Sequence, residues 1–178
     1  MRDISGKTIT LRKALATGFI AMSEETLEMI KSDRIEKGNV LDTARVSGFM
    51  AAKNTQNLIP YCHPVTIDGM DIKFIFLNKG DRLEYLGTEA AESGIQALIE
   101  AKSIGRTGIE MEALSAASIT CLTIYDMIKY LKDPLVEINS IKLIEKRGGK
   151  SDRKKMMKTE QHAALLICSE DILSTHRS

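Results

Sequence analysis

The order in which helix-like and strand-like segments follow one another constrains this fold most. Three segments carry apolar residues at helical spacing, and they cover residues 23–30, 40–57 and 111–131. Three further segments have the alternating or clustered apolar residues of strands, and they cover residues 65–77, 95–103 and 136–145. Because helices and strands are mixed without a strict strand–helix–strand repeat, the pattern predicts an α+β fold with a helical layer on a mostly antiparallel sheet.

Other parts of the chain have weaker patterns. The first twenty residues mix charged and small side chains without a firm period, which predicts an arm or an edge strand. Residues 37–39 and 78–81 carry turn signals, and residues 82–86 are predicted to return as a strand. Beyond Lys150 the chain becomes polar and basic. We therefore expect one domain over residues 1–151 and a basic linker and tail over 152–178.

The charge balance argues against a nucleic-acid partner. The 178 residues include 25 Lys and Arg against 24 Asp and Glu, a net charge of +1, with 4% aromatic residues and no Trp. Proteins that bind nucleic acids usually carry a basic excess or aromatic side chains on which bases stack. The sequence therefore predicts a partner other than DNA or RNA.

The cysteines and the apolar residues predict a soluble, cytoplasmic protein. Cys62, Cys121 and Cys168 are far apart and form no CxxC pair, which argues against a structural zinc site or a disulfide framework. The first residues lack the apolar core of a secretory signal. No apolar run approaches the roughly 20 residues of a membrane helix. We expect a reduced setting and no membrane partner.

The start of the long predicted helix is a candidate phosphate site. Two glycines bracket Arg106 and Thr107 just before this helix, where free backbone N–H groups favour anions. Glu110 and Glu112 follow at once. Acidic residues also stabilise a helix start without any catalytic role. On the pattern alone, the functional and the structural interpretation remain equally open.

The far end of the same helix carries a second polar pair. Asp126 and Lys129 share a helix face at i, i+3, as the members of an ordinary surface ion pair also do. Asp126 lies 14 residues after Glu112, which corresponds to about 21 Å along a straight helix. One small reacting centre cannot contact both residues of the same chain. If both belong to one site, a second subunit must supply one of them.

Further candidates are a histidine and several lysines. His63 lies in a short segment between Pro60 and Pro64, whose restricted backbone makes it a candidate for substrate binding or proton transfer. A Cys62–His63 dyad is rejected, because adjacent side chains on extended backbone point apart. The basic residues around two glycines near the end of the domain suit phosphate, although Ile144 occupies the first glycine position of a P-loop. These basic residues are Lys146, Arg147 and Lys150. Lys53, on the second predicted helix, is a further candidate.

Four segments together resemble one family. They are residues 58–64 (LIPYCHP), 105–114 (GRTGIEMEAL), 122–129 (LTIYDMIK) and 143–151 (LIEKRGGKS). In this order they resemble the signatures of cyclic pyranopterin monophosphate synthase, the molybdenum cofactor biosynthesis protein C family. The resemblance extends from about residue 3 to residue 151.

The resemblance implies a fold, an assembly and a reaction. The implied fold is ferredoxin-like, and the implied assembly is a hexamer, a trimer of dimers with the site at a subunit boundary. The implied enzyme is a lyase that converts 3′,8-cyclo-7,8-dihydroguanosine 5′-triphosphate into cyclic pyranopterin monophosphate and releases pyrophosphate. A divalent cation such as Mg²⁺ could assist that release, although no ligand set in the sequence requires one. A non-catalytic pterin- or nucleotide-binding module is the alternative, and a purely structural assembly protein is a third.

The resemblance also assigns residues. It implies that Asp126 and Lys129 are catalytic and exchange protons in a desolvated pocket. The positions that it matches to substrate contacts or to the surrounding pocket are Lys37, Lys53, Tyr61, Cys62, His63, Glu110, Met111, Glu112, Lys146 and Lys150, and Arg106 is added as a phosphate ligand. The sequence departs from the family in a longer stretch over 77–95, which leaves the strand register there open. It also has a tail in which residues 163–169 resemble the opening strand of a molybdopterin-binding domain that is fused to some relatives.

Overall fold

The computed structural model describes residues 1–149 and the backbone of residues 153–154. The tail segment 163–169 and Lys150 lie outside these residues. The elements in chain order are β1 (Thr10–Ala21), α1 (Glu24–Lys31), α2 (Val40–Leu58), β2 (Gly69–Leu77), β3 (Gly94–Gly105), α3 (Glu110–Ile128), β4 (Glu137–Arg147) and the two-residue β5 (Arg153–Lys154). A short 3-10 turn, Lys129–Leu131, follows α3.

The sheet is antiparallel throughout, with the strand order β2-β3-β1-β4-β5. α2 and α3 pack against each other and bury their apolar residues on one face of this sheet. The predicted α+β architecture is therefore confirmed, and the three predicted helices are confirmed to within a few residues. Apart from β5, the element order is the strand–helix–strand–strand–helix–strand order of the ferredoxin-like fold, with two helices in the first connection.

The prediction of an edge strand or arm for the first twenty residues is wrong for β1. This strand lies inside the sheet, where it pairs with β3 from Thr10 to Ala21 and with β4 from Lys13 to Ala21. Only the first part of β1 carries charged side chains, and its second half is buried on both faces of the sheet. A strand covered on both faces shows no alternation of polar and apolar residues, which removed the signal on which the prediction relied.

The predicted strand over 82–86 is also wrong. Residues 78–93 form a compact connection with one isolated bridge, between Arg82 and Glu89. This connection covers part of the outer face of the sheet, where Leu83 packs in a cluster with Phe19. The buried carboxamide of Gln96 accepts a hydrogen bond from the N–H of Glu84 and donates one to its carbonyl, both at 2.9 Å. The β2–β3 register is regular over its whole length despite the long connection.

Small residues let α2 and α3 approach each other closely. The α2 stripe that faces α3 and the sheet includes Ala44, Gly48 and Ala52, all buried. The hydroxyl of Thr120 on α3 lies 3.5 Å from the carbonyl of Ala44. Gly48, one turn further along α2, lies against Ala116, one turn earlier in α3. The two helices run in opposite directions. This orientation brings the turn before α2 to the end of α3.

We expect Gly48→Ala to lower the free energy of unfolding by about 1–2 kcal/mol, although alanine is the better helix former. A Cβ atom at Gly48 would lie 2.6 Å from Cδ1 of Ile72 and would also collide with Oγ1 of Thr120. The measurement is urea unfolding at fixed protein concentration. Gly6→Ala is the control, because a Cβ there meets no atom within 4 Å. Equal stability of both variants and the wild type would show that the helices can separate without cost.

Candidate functional site

The predicted site residues form two groups at opposite ends of α3. The α3-end group consists of Lys37, Asp126 and Lys129. The α3-start group surrounds the first turn of the helix and consists of Cys62, His63, Arg106, Glu110, Met111, Glu112 and Lys146. α3 is continuous between Glu110 and Ile128, so the helix rise of about 21 Å between Glu112 and Asp126 applies. One chain therefore does not bring the two groups into contact.

The α3-end group places one carboxylate between two ammonium groups. Oδ1 of Asp126 lies 2.6 Å from Nζ of Lys129, and Oδ2 lies 3.2 Å from Nζ of Lys37. The ammonium group of Lys37 also donates to the backbone carbonyl of Asp126, at 2.7 Å. Lys37 reaches this position from the α1–α2 turn, in which Gly38 adopts a φ of +97°. The antiparallel packing of α2 on α3 brings that turn to the end of α3.

Both members of the predicted catalytic pair carry their charges in this chain. The hydrogen bond from Lys129, followed by that from Lys37, holds the pKa of Asp126 below its usual value. The same hydrogen bond to Asp126 raises the pKa of Lys129. The side chains are 58% and 56% exposed. The expected desolvated pocket is therefore not formed within one chain, because the described contacts of the pair come only from the end of α3, the 3-10 turn after it and Lys37 of the α1–α2 turn.

The α3-start group contains a buried acid. Glu112 is 4% exposed. Burial raises the pKa of its carboxyl above the usual value, and a backbone hydrogen bond partly opposes this effect. Burial, and then the charge of Glu112, also raise the pKa of the Cys62 thiol. Cys62 is therefore a neutral thiol at neutral pH, and Glu112 holds a proton more readily than an exposed glutamate does.

The other members of this group lie around the same end of the helix, and the predicted site residues Tyr61 and Lys53 lie in its neighbourhood. Nζ of Lys146 on β4 lies 3.1 Å from Oε1 of Glu110. A ring nitrogen of His63 lies 2.7 Å from the carbonyl oxygen of Arg2. Met111 is partly exposed and Tyr61 is largely exposed. Lys53 is exposed on the half of α2 that packs against the first half of α3.

A cavity of about 560 Å³ opens beside the α3-start group. Glu110 supplies the one carboxylate among the described residues that line it, and the basic residues that line it are Arg2, Lys7, Arg12, Arg106, Lys146 and Arg147. The side chain of Arg147 is paired with Glu145, which does not line this cavity. Such a concentration of positive charge suits a ligand with several negative charges. It contrasts with the net charge of +1 for the whole chain.

Sequence reasoning missed Arg2, Lys7 and Arg12 as members of this cavity. Arg12 is 9% exposed, and its guanidinium donates to the carbonyls of Gly105 at 3.2 Å, Arg106 at 3.3 Å and Gly148. Arg12 thus fixes the loop before α3 relative to the end of β4. These residues could have been assigned to the cavity by a prediction that β1 lies between β3 and β4. The prediction of an edge strand excluded that position.

A second cavity, of about 630 Å³, adjoins the first. His63 and Ser103 line it, and Arg2, Arg106 and Thr107 line both cavities. The hydroxyl of Ser103 is buried and has no hydrogen-bond partner within the described part of the chain. A buried hydroxyl without a partner is unfavourable unless a ligand or water satisfies it. The second cavity therefore offers an unused polar contact beside the basic one.

Neither a group of metal ligands nor a membrane-spanning helix is found in the part of the chain that the structure describes. Over residues 1–149, no three His, Cys, Asp or Glu side chains are grouped so that they could hold a metal ion. None of the helices in this range combines the length and the apolar character that a membrane crossing requires.

Comparisons with known proteins relate the whole domain to one family. The family model of MoaC matches residues 1–149. Relatives named cyclic pyranopterin monophosphate synthase from Novosphingobium aromaticivorans and a Thermoanaerobacter species are each 46% identical to this chain over 151 residues, and one from Clostridium perfringens strain SM101 is 47% identical. Each alignment covers 85% of this chain and 87% of the relative. The similarity thus includes every segment that contributes to the two groups.

Proposed function

The chain belongs to the MoaC family, and we infer that it acts as a cyclic pyranopterin monophosphate synthase in molybdenum cofactor biosynthesis. The observation that carries this conclusion is the 46% identity over 151 residues to relatives that bear that name. The alternative, a binding module without turnover, needs the basic cavity alone. The α3-end pair Asp126 and Lys129 adds acid–base groups that such a module does not need.

We propose that the substrate is 3′,8-cyclo-7,8-dihydroguanosine 5′-triphosphate and that the products are cyclic pyranopterin monophosphate and pyrophosphate. Opening and reclosing the fused rings moves protons between nitrogen, oxygen and carbon atoms. Closing the cyclic phosphate releases the two outer phosphates as pyrophosphate. The site therefore needs proton-transfer groups and, separately, cations that stabilise a polyphosphate leaving group.

Asp126 and Lys129 are the proposed proton-transfer pair. Their hydrogen-bonded contact, at 2.6 Å, allows one group to stabilise the charge of the other while a proton moves to or from the substrate. Lys37 holds the second carboxylate oxygen and so fixes the orientation of the carboxylate. In water this pair stays charged. Exclusion of water by the substrate and by a second subunit would bring the two pKa values closer together.

Lys53, Arg106, Lys146 and Lys150 are the proposed ligands of the triphosphate. Two of them, Arg106 and Lys146, line the basic cavity, which supports this assignment. The remaining proposed substrate contacts are Tyr61, Cys62, His63, Met111 and Glu112, of which His63 and Glu112 orient the pterin part or relay protons. Glu110 is proposed to belong to the surrounding pocket. Glu112 supports the role of a proton relay best, because a buried acid with a raised pKa can hold a proton for a ring nitrogen.

We also propose a homohexamer, a trimer of dimers, with each site formed across a subunit boundary. The separation of the two groups along a continuous helix supports a shared site. Exposed apolar residues support an interface on the helical layer, and they are Val46, Met50, Leu122 and Tyr125. The exposure of the Asp126–Lys129 pair points the same way, because a second subunit would supply the missing desolvation.

Two further proposals concern the surroundings of the reaction. A divalent cation such as Mg²⁺ would enter with the triphosphate, since Mg²⁺ is commonly held by substrate phosphates and one or two carboxylates. We propose a cytoplasmic location. Cys62 and Cys121 support it, because both are free thiols in the described chain, as is usual in a reducing compartment.

The test of the function is turnover by the purified full chain. We expect incubation with 3′,8-cyclo-7,8-dihydroguanosine 5′-triphosphate to yield one pyrophosphate for each cyclic pyranopterin monophosphate, as measured by a coupled phosphate assay and mass spectrometry. Binding of the substrate without any product would favour the binding module. Neither binding nor product, with the oligomer intact, would favour a structural protein.

A further inference from the structure

Lys37 lies in a tight turn between α1 and α2, which we call the Lys37 turn (residues 35–38). The N–H of Gly38 donates to the carbonyl of Ile35, at 3.0 Å, and closes this turn. Ile35 is buried in the apolar cluster that α1 forms with the end of α3, whereas Lys37 is exposed. The turn is therefore anchored at Ile35, and the position of its exposed part depends on further contacts.

Tyr130 supplies one such contact. Its hydroxyl oxygen accepts a hydrogen bond from the N–H of Glu36, at 3.2 Å. Glu36 immediately precedes Lys37, and Tyr130 immediately follows Lys129. Both of these lysines bind the carboxylate of Asp126. The Glu36–Tyr130 hydrogen bond thus joins the chain neighbours of the two lysines that bind one carboxylate.

The side chain of Tyr130 is itself held in place. Its ring is partly buried and packs against the same apolar cluster as Ile35, while its hydroxyl reaches the turn. The backbone that follows is bound to the start of α1, because the carboxylate of Asp133 accepts from the N–H of Ser23 at 2.8 Å and from the hydroxyl of Thr26 at 2.7 Å. The hydroxyl of Tyr130 is therefore a fixed acceptor for the turn at the other end of α1.

The position of the turn determines where the ammonium group of Lys37 lies. Nζ of Lys37 donates to the backbone carbonyl of Asp126, at 2.7 Å, and lies 3.2 Å from Oδ2 of the same residue. The lysine side chain is 40% exposed. A long, exposed side chain loses conformational entropy when it holds one geometry, so its backbone must be placed where that geometry is within reach. The contact between Lys37 and Asp126 thus depends on the contacts that hold the turn.

We propose that Tyr130 is a positioning residue for the synthase reaction, whose hydroxyl holds the Lys37 turn against the end of α3 so that Lys37 binds one oxygen of Asp126 while Lys129 binds the other. This inference rests on the proposed function, which gives Asp126 its role in proton transfer. Tyr130 acts through the backbone of the turn and through Lys37, and it takes no part in the proton transfer itself.

Tyr130→Phe removes the hydroxyl and keeps the partly buried ring, so the fold should be preserved. We expect kcat to fall about three- to tenfold, as for the loss of one partly exposed hydrogen bond, while KM changes less than about twofold. Tyr85→Phe is the matched control, because Tyr85 is a partly exposed tyrosine in the connection between β2 and β3. It should leave both constants unchanged.

A double-mutant cycle with Lys37→Ala distinguishes positioning from a general structural role. If Tyr130 acts through Lys37, Tyr130→Phe should lower kcat no further in a chain that already carries Lys37→Ala. An equal loss in both backgrounds would mean that Tyr130 acts by another route, and it would overturn the inference. A Tyr130→Phe enzyme as active as the Tyr85→Phe control would overturn it as well.

Hydrogen exchange of the Glu36 amide, measured on the full chain, tests the Glu36–Tyr130 hydrogen bond without turnover. We expect this amide to exchange about three to ten times faster in Tyr130→Phe than in the wild type, because it loses its acceptor. Unchanged exchange would overturn the inference whether or not the chain is active. Faster exchange in the variant of a chain whose wild type forms no product would support the positioning contact and contradict the proposed function instead.

Discussion

Asp126→Asn is expected to lower kcat about a thousandfold or more while the substrate still binds. The amide keeps the shape of the side chain and can still accept a hydrogen bond from Lys129, but it cannot take up or release a proton. The side chain is largely exposed and contacts only two exposed lysines, so the fold should be preserved. Single-turnover product formation and calorimetric substrate binding measure the two effects separately.

Two further variants identify the origin of the loss. Asp71→Asn removes an exposed carboxylate of β2 that lies outside both groups, and it should leave kcat unchanged. Lys129→Arg keeps the positive charge beside Asp126 but cannot donate a proton at neutral pH, so it should be nearly as inactive as Asp126→Asn. Full activity in Asp126→Asn would disprove the catalytic assignment. Full activity in Lys129→Arg would reduce the role of Lys129 to charge alone.

The elements with a clear period could be predicted from the sequence, whereas the centre of the sheet could not. The α1 start is encoded locally, since Ser23 accepts a hydrogen bond from the N–H of Thr26 as a helix cap. β1 carries no such local signal, because its position depends on two strands that follow it by more than seventy residues. Long-range pairing of this kind leaves little trace in one sequence.

The same difference determines which site residues were predictable. Asp126 lies in the last turn of α3 and Lys129 begins the 3-10 turn that continues it, so their contact at i, i+3 follows from the helical repeat. Lys37 meets Asp126 through the packing of two helices, and the resemblance to a family was needed to include it. Arg12 and Lys7 join the basic cavity through the position of β1 in the sheet. Neither the sequence pattern nor the family resemblance predicted Arg12 or Lys7 as a site residue, because no local motif marks either of them.

Mixing Glu112→Ala chains with Asp126→Ala chains is expected to restore up to about a quarter of the wild-type activity, although each variant alone should be nearly inactive. If a site takes Glu112 from one subunit and Asp126 from its partner, a mixed dimer has one intact and one doubly substituted site. Random assortment makes about half of the dimers mixed. Coexpression with two different affinity tags, followed by purification through both, enriches the mixed assemblies for the assay.

The matched control mixes Asp126→Ala chains with Lys129→Ala chains. Nζ of Lys129 lies 2.6 Å from Oδ1 of Asp126 in the same chain, so every site of a mixed dimer lacks one member of the pair and no activity should return. Because Glu112 is buried, circular dichroism of its variant must first show a folded chain. If the first mixture contains confirmed mixed assemblies and stays as inactive as the second, each site belongs to one chain. In that case, the helix rise of about 21 Å would exclude Glu112 and Asp126 from the same reacting centre.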